Sequence, residues 1–143
     1  MSFDKRLAIV IFNLGGPDKP EAIQPFLFNL FYDPAILMLP NPIRWILAKI
    51  ISTARAPKSK KIYDQVGGKS TLLPATNAQA QALKKEITNF ATDSEIFVFM
   101  RYWKPDVEHI VQKIKEYNPD NIILIPLYPQ FSTTTTGTSI KAF

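Results

Sequence analysis

Three clusters of chemistry-bearing residues each follow a short apolar run. Asn13-Leu14-Gly15-Gly16-Pro17 follows residues 7–12, Arg101-Tyr102-Trp103-Lys104-Pro105 follows residues 95–100, and Tyr128-Pro129-Gln130-Phe131-Ser132 follows residues 122–125. In an open parallel sheet, ligands bind beyond the carboxyl ends of the strands. If the runs are strands, a guanidinium, several aromatics, a glycine pair and hydroxyls therefore converge on one rim. This set suits a flat, conjugated, partly anionic ligand, because aromatic faces stack and arginine pairs with carboxylate. Pro126 and Pro129 stiffen the last cluster and fix the directions of Tyr128, Gln130 and Ser132. The hydroxyls from Ser132 to Thr136 offer N-caps to a following helix. The chain stops four residues after Ser139, so an incomplete structural unit is expected.

Other chemistries fit less well. Gly15-Gly16-Pro17 is not G-x-G-x-x-G, and Pro17 removes an amide where a phosphate cradle needs one. Gly67-Gly68-Lys69-Ser70 has half the pattern of a phosphate loop without its upstream strand, and reads as a tight turn capping the next helix. There is no G-x-S-x-G motif. The single histidine, His109, lies off the Val107, Ile110, Val111, Ile114 stripe and reads as a solvated surface residue. The carboxylates are scattered, with no pair spaced for acid–base work. With no cysteine, the chain can build no disulfide, iron–sulfur cluster or thiolate zinc site. No metal or cofactor is expected to be held by this chain, and the lack of cysteine favours a reducing compartment.

The elements that must position the rim alternate. Residues 7–12, 95–100 and 122–125 are continuous apolar runs, as expected of strands covered on both faces. Residues 75–90 predict a helix with Ala78, Ala82, Leu83 and Ile87 inward. A second helix carries the Val107 stripe, with Pro105 near its start and Asn118-Pro119 at its end. The fold class expected is α/β, a parallel sheet flanked by helices, in one domain over residues 1–143. Residues 1–6 lead into the first strand with no cleavage-site pattern, so no secretory leader is expected.

The first crossover is anomalous: about eighty residues separate the first two strands, where a dozen or more plus a helix suffice. Much of the excess, residues 34–63, contains no acid but holds Arg44, Lys49, Arg55, Lys58, Lys60 and Lys61, and this stretch accounts for the chain's net charge of +5. Residues 24–51 are also densely apolar, yet Pro34, Pro40, Pro42, Arg44 and Lys49 interrupt them well short of the ~18 residues a membrane span requires. Two or three short helices meeting at proline corners are expected, with part of their surface exposed as a lip. A basic, greasy segment suits an amphiphilic anion or an anionic membrane surface, the alternative being a solvated helix face. Nucleic acid is not expected, because aliphatics rather than stacking aromatics interleave the basic residues.

Taken in order, Asn13-Leu14-Gly15-Gly16-Pro17, Arg55-Ala56-Pro57-Lys58, Gly67-Gly68-Lys69-Ser70, Met100-Arg101-Tyr102, Tyr128-Pro129-Gln130-Phe131-Ser132 and Thr135-Thr136-Gly137-Thr138-Ser139 resemble the ferrochelatases. The resemblance runs from about Leu7 to the end. It implies insertion of ferrous iron, as substrate, into protoporphyrin IX in haem biosynthesis, by a Rossmann-like, chelatase-type fold of two domains facing across a porphyrin cleft. This chain resembles the N-terminal half, without the last strand of its domain. By position, Arg55, Lys58, Tyr63 and Ser70 resemble the residues holding the porphyrin propionates, and Leu14 the apolar residue packed on the macrocycle. Arg101, Tyr102, Tyr128 and Ser132 resemble pocket residues. Phe31, Leu37, Met38 and Leu39 resemble a lip that contacts the membrane, which implies a cytoplasmic, peripherally membrane-associated protein. Lys69, Thr71 and Ala54 depart from the family's usual glycine, proline and second arginine. The family's catalytic histidine and its acidic partner belong to its second domain and have no match here, so the isolated chain is expected to be inactive. A non-catalytic tetrapyrrole-binding fragment and a peripheral membrane-binding α/β domain are the alternatives.

Overall fold

The computed structural model describes residues 5–91 and 93–143. The expectation about a leader rests partly on residues 1–4, which lie outside the described residues. Three parallel strands, β1 (Leu7–Asn13), β2 (Ser94–Met100) and β3 (Asn121–Pro126), form one sheet in the order β2-β1-β3. β1 pairs on both sides, Leu7 with Ser94 and with Asn121, and stays in register to Asn13 and Phe12 respectively. Its residues from Leu7 to Phe12 are all buried, as a continuous apolar run demands of a central strand. β3 lies at an edge and leaves Ile122 and Ile123 exposed, so the expectation of a strand covered on both faces fails for residues 122–125, which have a neighbour on one side only.

Side chains alternate across the sheet with period two. Ala8, Val10 and Phe12 of β1 join Phe97 and Phe99 of β2 against Val107, Ile110 and Ile114 of α4 (Val107–Tyr117). Leu7, Ile9 and Ile11 point the other way, with Ala80, Leu83 and Ile87 of α3 (Leu72–Ile87). The termini of α4 follow from three residues. Asp106 accepts the His109 amide (3.0 Å) as N-cap, and Asn118, in the left-handed region (φ 52°), closes the last turn before Pro119.

α3 departs from expectation. It starts at Leu72, whose amide donates to Ser70 Oγ (3.2 Å), and Pro74 is accommodated in its first turn. Its inward stripe is Thr76, Ala80, Leu83 and Ile87, while Ala78 and Ala82 are exposed. Alanine is small enough to sit on either face, so composition alone misassigned the phase. Besides α3, the long crossover builds two helices, α1 (Ile23–Tyr32) and α2 (Ile43–Asp64), which pack against each other across a corner at Pro34, Pro40 and Pro42. The expectation of short helices fails for α2, which runs 22 residues straight through Pro57. An interior proline costs about 3 kcal/mol, so α2 is held by packing on α1 through buried Ala48 and Ser52 rather than by propensity. Among the described residues, no helix is long and apolar enough to cross a membrane.

Candidate functional site

The rim begins where β1 and β2 end. Their pairing continues into the loops, Arg101 N donating to Asn13 O (2.9 Å) and Tyr102 N to Leu14 O (3.0 Å). Asn13 Oδ1 accepts the Leu14 amide at 2.8 Å, which turns the chain out of the strand. Gly15 follows at φ +92°, and a Cβ there would lie 3.0 Å from Met100 Cβ, so only glycine fits this turn against β2. Gly16 has a different constraint: a Cβ would lie 2.5 Å from both Cβ and Oγ of Ser70 and 3.8 Å from the Tyr63 hydroxyl. Ser70 N donates to Pro17 O at 2.7 Å. The loop after β1 is thereby locked onto the turn between α2 and α3, and Gly16, Tyr63 and Ser70 come together. Burial pushes the Tyr63 phenol above its ordinary pKa, so it remains a hydrogen-bond donor.

Gly67 and Gly68 take positive φ (89° and 77°), and the Gly68 amide closes on Tyr63 O (2.8 Å). With Ser70 capping Leu72, this is the helix-capping turn that Gly67-Gly68-Lys69-Ser70 predicted. A cavity of about 510 Å³ opens beside it, lined by Gly16, Lys69, Ser70, Pro74, Trp103 and His109. His109 is exposed, off the buried stripe of α4, and stands at the edge of this cavity.

Arg55 and Lys58 stand one turn apart on α2, both exposed. The Arg55 guanidinium lies over the Phe31 ring of α1 at 5.3 Å. Of the expected lip residues, only Met38 is largely exposed (87%); Phe31, Leu37 and Leu39 are half-buried. Ile43, Trp45, Ile46 and Ile50 of α2 are exposed and extend the apolar surface beyond those four residues.

On the β2 side, Arg101 and Tyr102 converge on a residue that the motifs did not reveal. Asp33 follows α1 with its side chain 2% exposed. Its Oδ2 accepts Arg101 Nη2 (2.7 Å), Tyr102 Oη (2.9 Å) and Thr138 Oγ1 (2.6 Å), and its Oδ1 accepts the Ala35 amide (2.7 Å). Burial alone would raise the Asp33 pKa, but the hydrogen bonds from Thr138, Ala35 and Tyr102, with the Arg101 charge, outweigh it and hold the carboxyl below its usual range. The Tyr102 phenol is pushed strongly up by burial and by Asp33. A sequence signal for Asp33 did exist. It is an acid at a helix C-terminus, where the macrodipole disfavours negative charge, immediately before a long acid-free stretch.

Tyr128 and Ser132 anchor the last segment. The Tyr128 hydroxyl lies 3.0 Å from Ser139 Oγ, and its ring meets Phe12 edge-on at 6.2 Å. Ser132 Oγ accepts the Thr134 amide (3.2 Å) and its carbonyl accepts Gly137 N (3.0 Å), capping a π-helical turn that leads into α5 (Thr138–Ala142). Tyr63 and Ser70 thus form one group against Gly16, Leu14 stands two residues earlier on the same loop, Arg55 and Lys58 form an exposed basic pair, and Arg101 and Tyr102 a network with buried Asp33. Among the described residues, no three His, Cys, Asp or Glu side chains are grouped to hold a metal ion.

Comparison with known proteins identifies the family. The Ferrochelatase family model matches residues 6–143. Over 142 residues the chain is 59% identical to a ferrochelatase of Rickettsia bellii (strain OSU 85-389), covering 97% of this chain and 40% of that protein. It is 55% identical over 141 residues to that of Rickettsia prowazekii (strain Madrid E), covering 98% and 41%. It is 50% identical over 135 residues to that of Wolbachia sp. subsp. Drosophila simulans (strain wRi), covering 94% and 43%. The chain therefore spans about two-fifths of the length of these curated relatives. With an open three-stranded parallel sheet that brings the motifs to one rim, and with a family match running from Arg6 to Phe143, the chain belongs to the ferrochelatase family.

Proposed function

We propose that residues 1–143 form the porphyrin-clamping domain of an enzyme that inserts ferrous iron into protoporphyrin IX, a lyase step of haem biosynthesis. The observation that carries this reading is the contact of Gly16 with Ser70 beside the Tyr63 hydroxyl, with Tyr63 on the same helix, α2, as the exposed Arg55 and Lys58. Two cations and two hydroxyls suit a pair of carboxylates, and Leu14 supplies an apolar contact for the ring face. In this role Arg55 and Lys58 hold the propionates, Tyr63 and Ser70 donate to them, and the Asp33 network keeps the opposite rim fixed. Iron insertion exchanges two pyrrole N–H protons for the metal, so a base must take them. His109, exposed in the first turn of α4 at the edge of the cavity beside Ser70, has no match to the family's catalytic histidine, and we assign the base to protein outside this chain. We further propose a cytoplasmic protein that touches the membrane peripherally. The support is the exposure of Met38, Ile43, Trp45, Ile46 and Ile50 around a segment free of acids.

The test is a titration of the 143-residue chain with protoporphyrin IX, followed by its absorbance and fluorescence, and then addition of ferrous iron. The wild-type chain should bind porphyrin without metallating it above background. A charge-assisted hydrogen bond contributes about 1.5–3 kcal/mol, so Arg55→Ala should raise Kd about tenfold or more. An unchanged Kd removes Arg55 from the site. Metallation by the chain alone would return His109 to consideration. Vesicle binding with no porphyrin affinity would favour a purely membrane-binding domain.

A further inference from the structure

The end of α1 meets three arginines: the Tyr32 ring lies under Arg44 at 5.2 Å, and its neighbours on either side treat Arg55 and Arg101 in opposite ways. Phe31 offers its ring face to Arg55 at 5.3 Å, a contact that orients a cation without cancelling its charge. Two residues later Asp33 offers Arg101 a carboxylate at 2.7 Å. Arg101 is fixed further by Thr138, whose Oγ1 accepts from its Nε (3.1 Å) and Nη2 (2.9 Å) while donating to Asp33. Its guanidinium also lies 4.9 Å over the Tyr102 ring. Among the described residues, the ion pairs are Arg6–Asp93, Lys84–Glu95, Arg101–Asp33 and Lys104–Asp106, so neither Arg55 nor Lys58 has an acidic partner.

Arg101 is not remote from ligand-sized space. With Asp33 it borders two cavities of about 530 and 590 Å³ between the α1–α2 corner, the β2 loop and α5. A free guanidinium there would attract carboxylates as Arg55 does. Paired with a buried carboxylate at hydrogen-bond distance, it presents a compact dipole whose field falls off quickly.

We propose that Asp33 is a positioning residue that cancels Arg101, so that Arg101 does not compete with Arg55 and Lys58 for the carboxylates of a dicarboxylic porphyrin. This inference rests on the porphyrin-clamp function proposed above. It predicts an effect of unusual sign, because removing a buried carboxylate should create a carboxylate-binding site.

The experiment compares protoporphyrin IX binding by the wild-type chain, R55A, D33N/R55A and D33N/R55A/R101Q, with circular dichroism as the check on folding. R55A should bind about tenfold more weakly than wild type. In D33N/R55A the released Arg101 should recover about threefold or more of that loss, and R101Q should abolish the recovery. A merely structural Asp33 would make D33N/R55A bind more weakly than R55A, and that result, or equal binding, overturns the proposal. If D33N/R55A does not fold, D33N/R55A/R101Q decides, because it removes both charges and leaves neither unpaired: binding equal to R55A supports a cancelled pair, and a further loss of about threefold or more overturns it. Absence of porphyrin binding by the wild-type chain would overturn the clamp function itself. Binding by wild type without recovery in D33N/R55A would sink only the role of Asp33.

Discussion

Gly16→Ala is the smallest change that tests whether the β1 loop and the α2–α3 turn form one site. The added Cβ would lie 2.5 Å from Cβ and Oγ of Ser70, against an ordinary carbon–carbon contact of about 3.5–4.0 Å. Ser70 Cβ is bonded directly to the backbone, so a rotamer change cannot clear it. The turn itself must move by about 1 Å, and it is tied by Ser70 N to Pro17 O at 2.7 Å and by Ser70 Oγ to the Leu72 amide. Overpacking of this kind costs about 1–3 kcal/mol, a fall in melting temperature on the order of 5–10 °C for a chain of this size. The same shift moves Ser70 and Tyr63 relative to Arg55. Loss of one charge-assisted hydrogen bond to a propionate weakens porphyrin binding about tenfold or more. Thermal melting and fluorescence titration with protoporphyrin IX read the two effects separately. Gly16→Ala combined with Ser70→Gly should regain most of the stability, because the clash is gone, but not the affinity, because the hydroxyl is gone too. A Gly16→Ala chain with wild-type melting and wild-type Kd would refute the reasoning.

Two further outcomes follow from burial and charge. Because the folded Asp33 pKa is depressed, its contribution to stability is fully present above the unfolded value of about 3.9 and is lost as pH falls through the lower folded value. Asp33→Asn should therefore cost about 3–5 kcal/mol at neutral pH and flatten the fall in melting temperature below about pH 4, with Asp93 and Asp106 supplying a residual slope; an unchanged acid profile would exclude Asp33 as a main acid-sensitive group. At the lip, Met38→Ser with Ile46→Ser should reduce sedimentation with anionic vesicles while leaving melting unchanged. Half-buried Leu37 and Leu39 should instead lower the melting temperature when changed to serine, each by up to about 1.5–3 kcal/mol of lost burial, and vesicle binding unaffected by the Met38 and Ile46 changes would remove the lip from the membrane contact.

The sequence by itself determined the three strands, α4 and the rim beyond the strand ends. These features depend on local rules that act over a few residues: apolar runs that must be covered, Asp106 and Asn118 as caps, and glycines where the backbone turns. The turn at Gly67 and Gly68 was legible for the same reason. Leu83 and Ile87 of α3 were legible too, but Ala78 and Ala82 were not, because alanine fits either face and the choice fell to packing of Ala80, Leu83 and Ile87 on the sheet. Nor was the length of α2, since packing on α1 overrides the break that Pro57 would impose on an isolated helix. Only the tertiary structure placed β3 on the far side of β1 from β2, set Gly16 against Ser70, and joined Asp33 to Arg101 across 68 positions. Those contacts are long-range: each partner satisfies its own local rules without the other, and their meeting is decided when helices and sheet close on a common core.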